Sequence, residues 1–172
     1  MTYYTGADLA RGSRTVRKNT VQIATEIPEE QYGHRGTPDT RSVAETLGHI
    51  VTLSTWPYQA HAVDRKTFLS REDFGGYIQA ANVYAATLKT KASLIEALET
   101  KGEQFAAWLE TLDEATLGEM VGFPPPLEPS QKSRFEMLIG LKEHEMHHRA
   151  QLMLIQRQLG IVPHLTRARG GR

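Results

Sequence analysis

Three histidines, His144, His147 and His148, fall within five positions of the run KEHEMHHRAQLMLIQRQLG, residues 142–160. An imidazole is costly to bury unless each ring nitrogen has a partner, and two adjacent imidazoles cannot comfortably both be charged. A divalent metal resolves both difficulties: it takes the lone pairs of neutral rings and leaves their N–H groups to donate to carboxylates, carbonyls or water. His144 and His148 are one helical turn apart, so their rings can converge on one ion, as in helical zinc motifs. At about 100° per residue they share an arc with Met137, Leu141, Ile155 and Leu159, which places them in a core seam; His147 lies about 100° from His148, nearer the edge. A hydrogen-bonded or surface pair is the plain alternative. Two ligands seldom hold a metal tightly, so a third is expected from a neighbouring helix.

The other histidines are His34, His49, His61 and His164. His34 and His164 lie in Gly- or Pro-flanked loops, and His61 is about 120° around its helix from His49, beyond Pro57. His49, in LGHIVTL, sits about 40° from Leu53 and beside Trp56, and is the natural third ligand; alone, it would read as an ordinary buried histidine. Glu145 projects about 100° from His144 and reads either as an acid serving the site or as a solvated charge, the second being favoured. Gln151 shares the seam with His144, where it orients a ligand or caps the site, or simply packs as a core amide. Trp56, Phe105 and Trp108 read as core.

Three neutral histidines leave at least one coordination position open, the arrangement of a catalytic rather than a closed structural site. A thiol bound there would have its pKa lowered and would be presented to an electrophile. Water in the same position would give a hydrolase with Glu145 as proton acceptor. A non-catalytic metal-binding or structural bundle is the reading from a different class. Metal affinity should weaken as pH falls through the histidine range near ~6.5, because protons compete for the same nitrogens.

The elements that must position these residues show apolar spacings of three and four rather than strict alternation, which predicts an all-α chain. A first helix covers roughly Asp8 to Ile27, with Val16, Thr20, Ile23 and Ile27 on one side and Pro28 ending it. A capping box, Ser42 to Glu45, starts a second helix that runs past His49 to a kink at Pro57. Residues 62–80, which include Gly75 and Gly76, show no sustained period and read as a long crossover with some short helix. A third helix spans roughly Ala81 to Leu112. After GFPPPLEPS a fourth starts near Ser130 or Ser133 and stops at Gly160. The result is a four-helix bundle with a long crossover between helices 2 and 3, over residues 1–165, followed by a mobile C-terminal tail, residues 166–172.

Composition narrows the partners. Of 172 residues 40% are hydrophobic, which suits one domain, and 20 basic residues balance 20 acidic ones, so no positive field steers the protein onto nucleic acid or an anionic membrane. No stretch approaches the ~18 apolar residues of a membrane span and no signal-peptide core is evident, so a cytoplasmic protein is expected. Cysteine is absent, so any thiol chemistry must borrow its sulfur.

HEMHHRAQ together with LGHIV resembles the DinB superfamily of metal-binding bacterial four-helix bundles, which includes thiol-dependent transferases. The family pattern is a histidine in the second helix and an H-x-x-x-H pair in the last, often continuing H-R-x-Q; it falls here on His49, His144, His148 and Gln151. The resemblance implies an up-down-down-up bundle, often a homodimer, with a divalent metal, nickel or zinc foremost, at His49, His144 and His148. It does not fix an activity. The expectation is a metal-dependent transferase that uses a low-molecular-weight thiol on an electrophilic small molecule.

Overall fold

The computed structural model describes residues 4–170. Seven α-helices account for most of the described chain: α1 (Gly6–Glu26), α2 (Val43–Pro57), α3 (Arg71–Ala85), α4 (Lys91–Glu110), α5 (Glu114–Gly118), α6 (Arg134–Gln158) and α7 (His164–Arg167). A two-stranded antiparallel hairpin, β1 (Met120–Gly122) and β2 (Gln131–Ser133), pairs Met120 with Ser133 and Gly122 with Gln131. Among the described residues, no helix is long and apolar enough to cross a membrane.

The four long helices α1, α2, α4 and α6 form the bundle, and their directions follow from their contacts. Gly12 lies against Lys142, Arg17 bonds Glu145 and Gln156 bonds Glu26, so α1 and α6 run parallel. Lys91 caps the Ile27 carbonyl at the end of α1, while a Cβ on Gly6 at its start would run into the carbonyls of Leu109 and Leu112; α4 is therefore antiparallel to α1. His49 meets His144 and the later His61 meets the earlier Arg134, so α2 is antiparallel to α6. The order is up-down-down-up.

Apolar periodicity places the core where expected. Ile23 and Ile27 of α1, Val43, Leu47 and Ile50 of α2, Leu94 and Leu98 of α4, and Leu152 and Ile155 of α6 are buried together at the centre. Each such side chain withdrawn from water contributes about 1.5–3 kcal/mol. Two helix starts are closed by the capping boxes legible in the sequence, Ser42 with Glu45 and Ser133 with Glu136. Gly160 adopts φ 77° just beyond the end of α6, a left-handed conformation that glycine reaches without strain.

Two expectations about the middle of the chain are corrected. The helix in the crossover is not short: Ser70 and Asp73 form a capping box, and α3 runs for 15 residues through Gly75 and Gly76. Two glycines cost such a helix about 1 kcal/mol each, and packing offsets this, because Tyr77, Ile78 and Ala81 join Trp56, Leu69 and Val121 in a satellite core. The expected single helix from Ala81 to Leu112 is two helices, since Thr90 leaves helical geometry to cap α4 through Ser93. Here the reciprocal partner is serine rather than Glu or Gln, which hid the cap. Pro57 does end regular α-helix, and the chain widens into a π-helical turn over Tyr58–Val63.

The C-terminal segment is more tied down than a solvated tail. The expected boundary after residue 165 falls inside α7, where Arg157 bonds Thr166 and Arg167 pairs with Glu26. The last two residues of that expected tail lie outside the described ones.

Candidate metal centre

α2 and α6 cross so that His49, His144 and His148 present one nitrogen each to a common point, with all three donor atoms within 4.8 Å of one another. His49 Nε2 and His144 Nε2 are 3.5 Å apart, and the His49 ring meets the His148 ring edge-on with centroids 4.6 Å apart. Around an ion with bonds of about 2.0–2.1 Å, ligand atoms sit roughly 3–3.5 Å from each other, so small ring rotations complete the set. Among the described residues, this is the group of histidines and carboxylates arranged to hold a metal.

The hydrogen bonds around the cluster define which nitrogens are free. Gln151, one turn beyond His148 on α6, places its Oε1 2.8 Å from His148 Nδ1. A carbonyl oxygen only accepts, so Nδ1 carries the proton and the lone pair belongs to Nε2. That Nε2 is buried and has no hydrogen-bond partner. A buried, unpartnered acceptor in a ring held by its other nitrogen is what a ligand histidine looks like before its ion. The Gln151 amide nitrogen meanwhile lies 3.2 Å from His147 Nε2, so His147 is engaged outside the cluster.

All three imidazoles are biased towards the neutral form that a metal requires. Burial, then the Arg41 guanidinium, then the neighbouring rings push His49 down to about 4. His144 is lowered by desolvation, His147 and Arg41; His148 is lowered by burial, with its Gln151 hydrogen bond opposing. Arg41 immediately precedes the cap of α2, is exposed, and makes no hydrogen bond or ion pair among the described residues. Its field acts on all three rings, so it favours an anion at this point.

Burial along α6 corrects the helical wheel. The buried positions are Arg134, Leu138, Glu145, His148, Leu152, Ile155 and Gln156; Glu145 and Gln156 bond α1, so the buried face is turned towards that helix, and His144 stands exposed at its margin rather than in the seam. Glu145 is accordingly not a solvated charge but a buried one. Arg17 Nε and Nη2 each donate to one of its oxygens at 2.9 Å, and the Thr20 hydroxyl donates to Oε1 at 2.8 Å. Arg17 also donates to the Leu98 carbonyl at 2.7 Å and lies so close to Gly102 that any Cβ there would collide with it. A partner 128 residues away leaves no local trace, so this network was not legible from periodicity. His61 lies apart from the cluster, buried with Nδ1 2.7 Å from Arg134 Nη1, and Arg134 in turn pairs with Glu119.

The sequence profile of the DinB superfamily matches residues 14–152. Among solved structures, the fold is similar to that of a DinB-like protein from Bacillus subtilis, with TM-score 0.64 and 19% identity, covering 88% of this chain and 91% of that one. It is similar as well to the sibling lethal factor precursor DfsB, with TM-score 0.67 and 13% identity over 94% of this chain and 100% of the other. An uncharacterised protein from Clostridium difficile 630 gives TM-score 0.66 and 13% identity, over 91% and 98% respectively. At these identities the likeness speaks for the fold alone. No curated protein matches the chain.

Proposed function

The chain belongs to the DinB superfamily, and from that premise we propose that His49, His144 and His148 hold a divalent metal, nickel or zinc, at the centre of a thiol-dependent transferase acting on an electrophilic small molecule. The observation that carries the metal reading is the buried, unpartnered Nε2 of His148, aimed into a cluster whose other two nitrogens lie within 4.8 Å. When bound, such an ion supplies Lewis acidity, which lowers the pKa of a sulfur or oxygen ligand in its open position.

The chain's own residues supply the rest. Gln151 fixes the tautomer and direction of His148, Arg41 draws an anionic co-substrate towards the open side, and the depressed basicity of the three rings keeps them unprotonated near neutral pH. With no cysteine in the chain, a sulfur nucleophile is brought in as a small molecule. The hydrolytic alternative asks for a proton acceptor beside the site, and Glu145, the acid proposed for it, is engaged by Arg17 and Thr20. This favours the transferase.

Elemental analysis of untagged protein prepared without chelator tests the reading, alongside His148→Ala and His147→Ala. Near-stoichiometric metal in the parent and His147→Ala, lost in His148→Ala, is the expected result; no uptake after incubation with nickel or zinc leaves a non-catalytic bundle. A thiol that shifts the visible bands of cobalt-loaded protein would support the transferase, and spectral silence towards thiols would refute it. A homodimer, taken over from the superfamily, belongs to the same proposal and is read by light scattering.

A further inference from the structure

A cavity of about 540 Å³ opens directly beside the histidine cluster, and His144 forms part of its lining. That volume lies within the ~300–1,000 Å³ of small-molecule sites. Four separate segments build it. Its floor is the face of α6 bearing Met137, Gly140 and Leu141; Trp56 closes it from the end of α2; Phe74 of α3 and the hairpin-loop residues Phe123 and Leu127 form the sides. The small sheet holds these walls together, since the Gly122 carbonyl accepts from Leu69 N–H and the Gly122 N–H donates to Thr67, each at 2.9 Å.

The four charged residues of the lining, Arg71, Glu128, Lys132 and Glu136, are all exposed and balance in sign. Arg71 donates to the Pro125 carbonyl, and the Glu136 carboxylate is occupied in capping Ser133. His144 is the polar side chain at the cluster end. Phe74 and Leu127, which are 45% and 50% exposed, leave apolar surface facing the opening. Gly140 points to the same use. It sits inside the 25-residue α6, where glycine costs about 1 kcal/mol relative to alanine. Yet a Cβ there would meet nothing within 4 Å. Packing does not require a glycine at this position, which lines the cavity one turn before His144 and puts no side chain into it.

We infer that this cavity receives an uncharged, predominantly apolar or aromatic acceptor molecule, with its reacting atom at His144 and Gly140 keeping the approach clear. The inference rests on the metal-centre reading for the meaning of its inner end, and its test separates the two. N-phenyl-1-naphthylamine, a neutral apolar fluorophore, is titrated into metal-loaded protein, Gly140→Leu and Phe74→Ala, with metal content and melting temperature measured for each. One probe per chain is expected, with affinity lowered about tenfold or more in Gly140→Leu while metal content and melting temperature hold or rise. Phe74→Ala, which removes a wall without filling the cavity, lowers affinity as well and serves if Gly140→Leu does not fold. Parent-like affinity in both variants overturns the inference, as does one probe per two chains, which would mean that a second copy covers the opening. In cobalt-loaded protein, bound probe should perturb the visible bands, and unperturbed bands would place it away from His144 and overturn the assignment. Probe binding that survives when no metal can be loaded would sink the metal reading and leave the cavity's specificity standing.

Discussion

Glu145→Gln offers the sharpest separation of structure from chemistry. The substitution keeps the shape of the side chain, removes its charge and turns one acceptor into a donor facing the Arg17 guanidinium. Arg17 and Glu145 have side-chain exposures of only 10% and 8%, so water cannot take over. Removing one partner of such a buried pair costs about 3–5 kcal/mol, because the remaining charge is left uncompensated. For a chain of this size, with roughly 3 °C per kcal/mol, the melting temperature should fall by about 9–15 °C. Pairing Arg17→Met with Glu145→Leu should recover most of the loss, since an apolar replacement of a buried pair is often neutral. The assay is thermal and urea denaturation of the three proteins, with metal content measured at 4 °C, where each remains folded. Metal content should stay at the parental level. A melting temperature within about 2 °C of the parent, together with lost metal or lost thiol response, would refute the reasoning and return Glu145 to the chemistry of the site.

Other outcomes follow from the same geometry. Gln151→Leu should weaken metal binding by about 10–100-fold, measured by competition with a chromophoric chelator, because His148 loses the acceptor that fixes its tautomer; unchanged affinity would show that α6 alone orients the ring. Metal should also persist to lower pH than an unperturbed histidine set near ~6.5 would allow, since His49 is held down to about 4, and dialysis at stepped pH with elemental analysis reads this directly. His61 makes stability itself acid-sensitive. Burial and Arg134 lower it to about 4, so below the unfolded value the unfolded chain takes up the proton first. Stability is then full above pH ~6.5 and is lost towards pH 4, by about 3 kcal/mol. Urea midpoints across that range should fall accordingly in the parent and be flatter in His61→Gln, and parallel curves would count against the linkage.

Spacing along single helices made much of the centre legible in advance. The four apart of His144 and His148, the place of His49 on the core side of α2 and the two Ser–Glu capping boxes are local patterns, and local patterns survive folding. The errors share a cause. A wheel drawn on α6 alone cannot say which side meets α1, so it put His144 inside and Glu145 outside, whereas the Arg17 pair turns the helix the other way. Likewise α3 looked unhelical because Gly75 and Gly76 weaken its propensity, and only Trp56, Leu69 and Val121 beneath it supply the burial that holds it.

What the sequence determined by itself was therefore the all-helical bundle and the candidate ligands His49, His144 and His148, because periodicity and i, i+4 spacing are properties of one helix. Only the tertiary structure decided that Gln151 leaves His148 Nε2 free, that Arg41 biases all three rings, that Glu145 belongs to Arg17, and that an apolar cavity ends at His144. Each of these depends on segments far apart in the chain, whose meeting is set by the packing of whole helices rather than by the residues on either side.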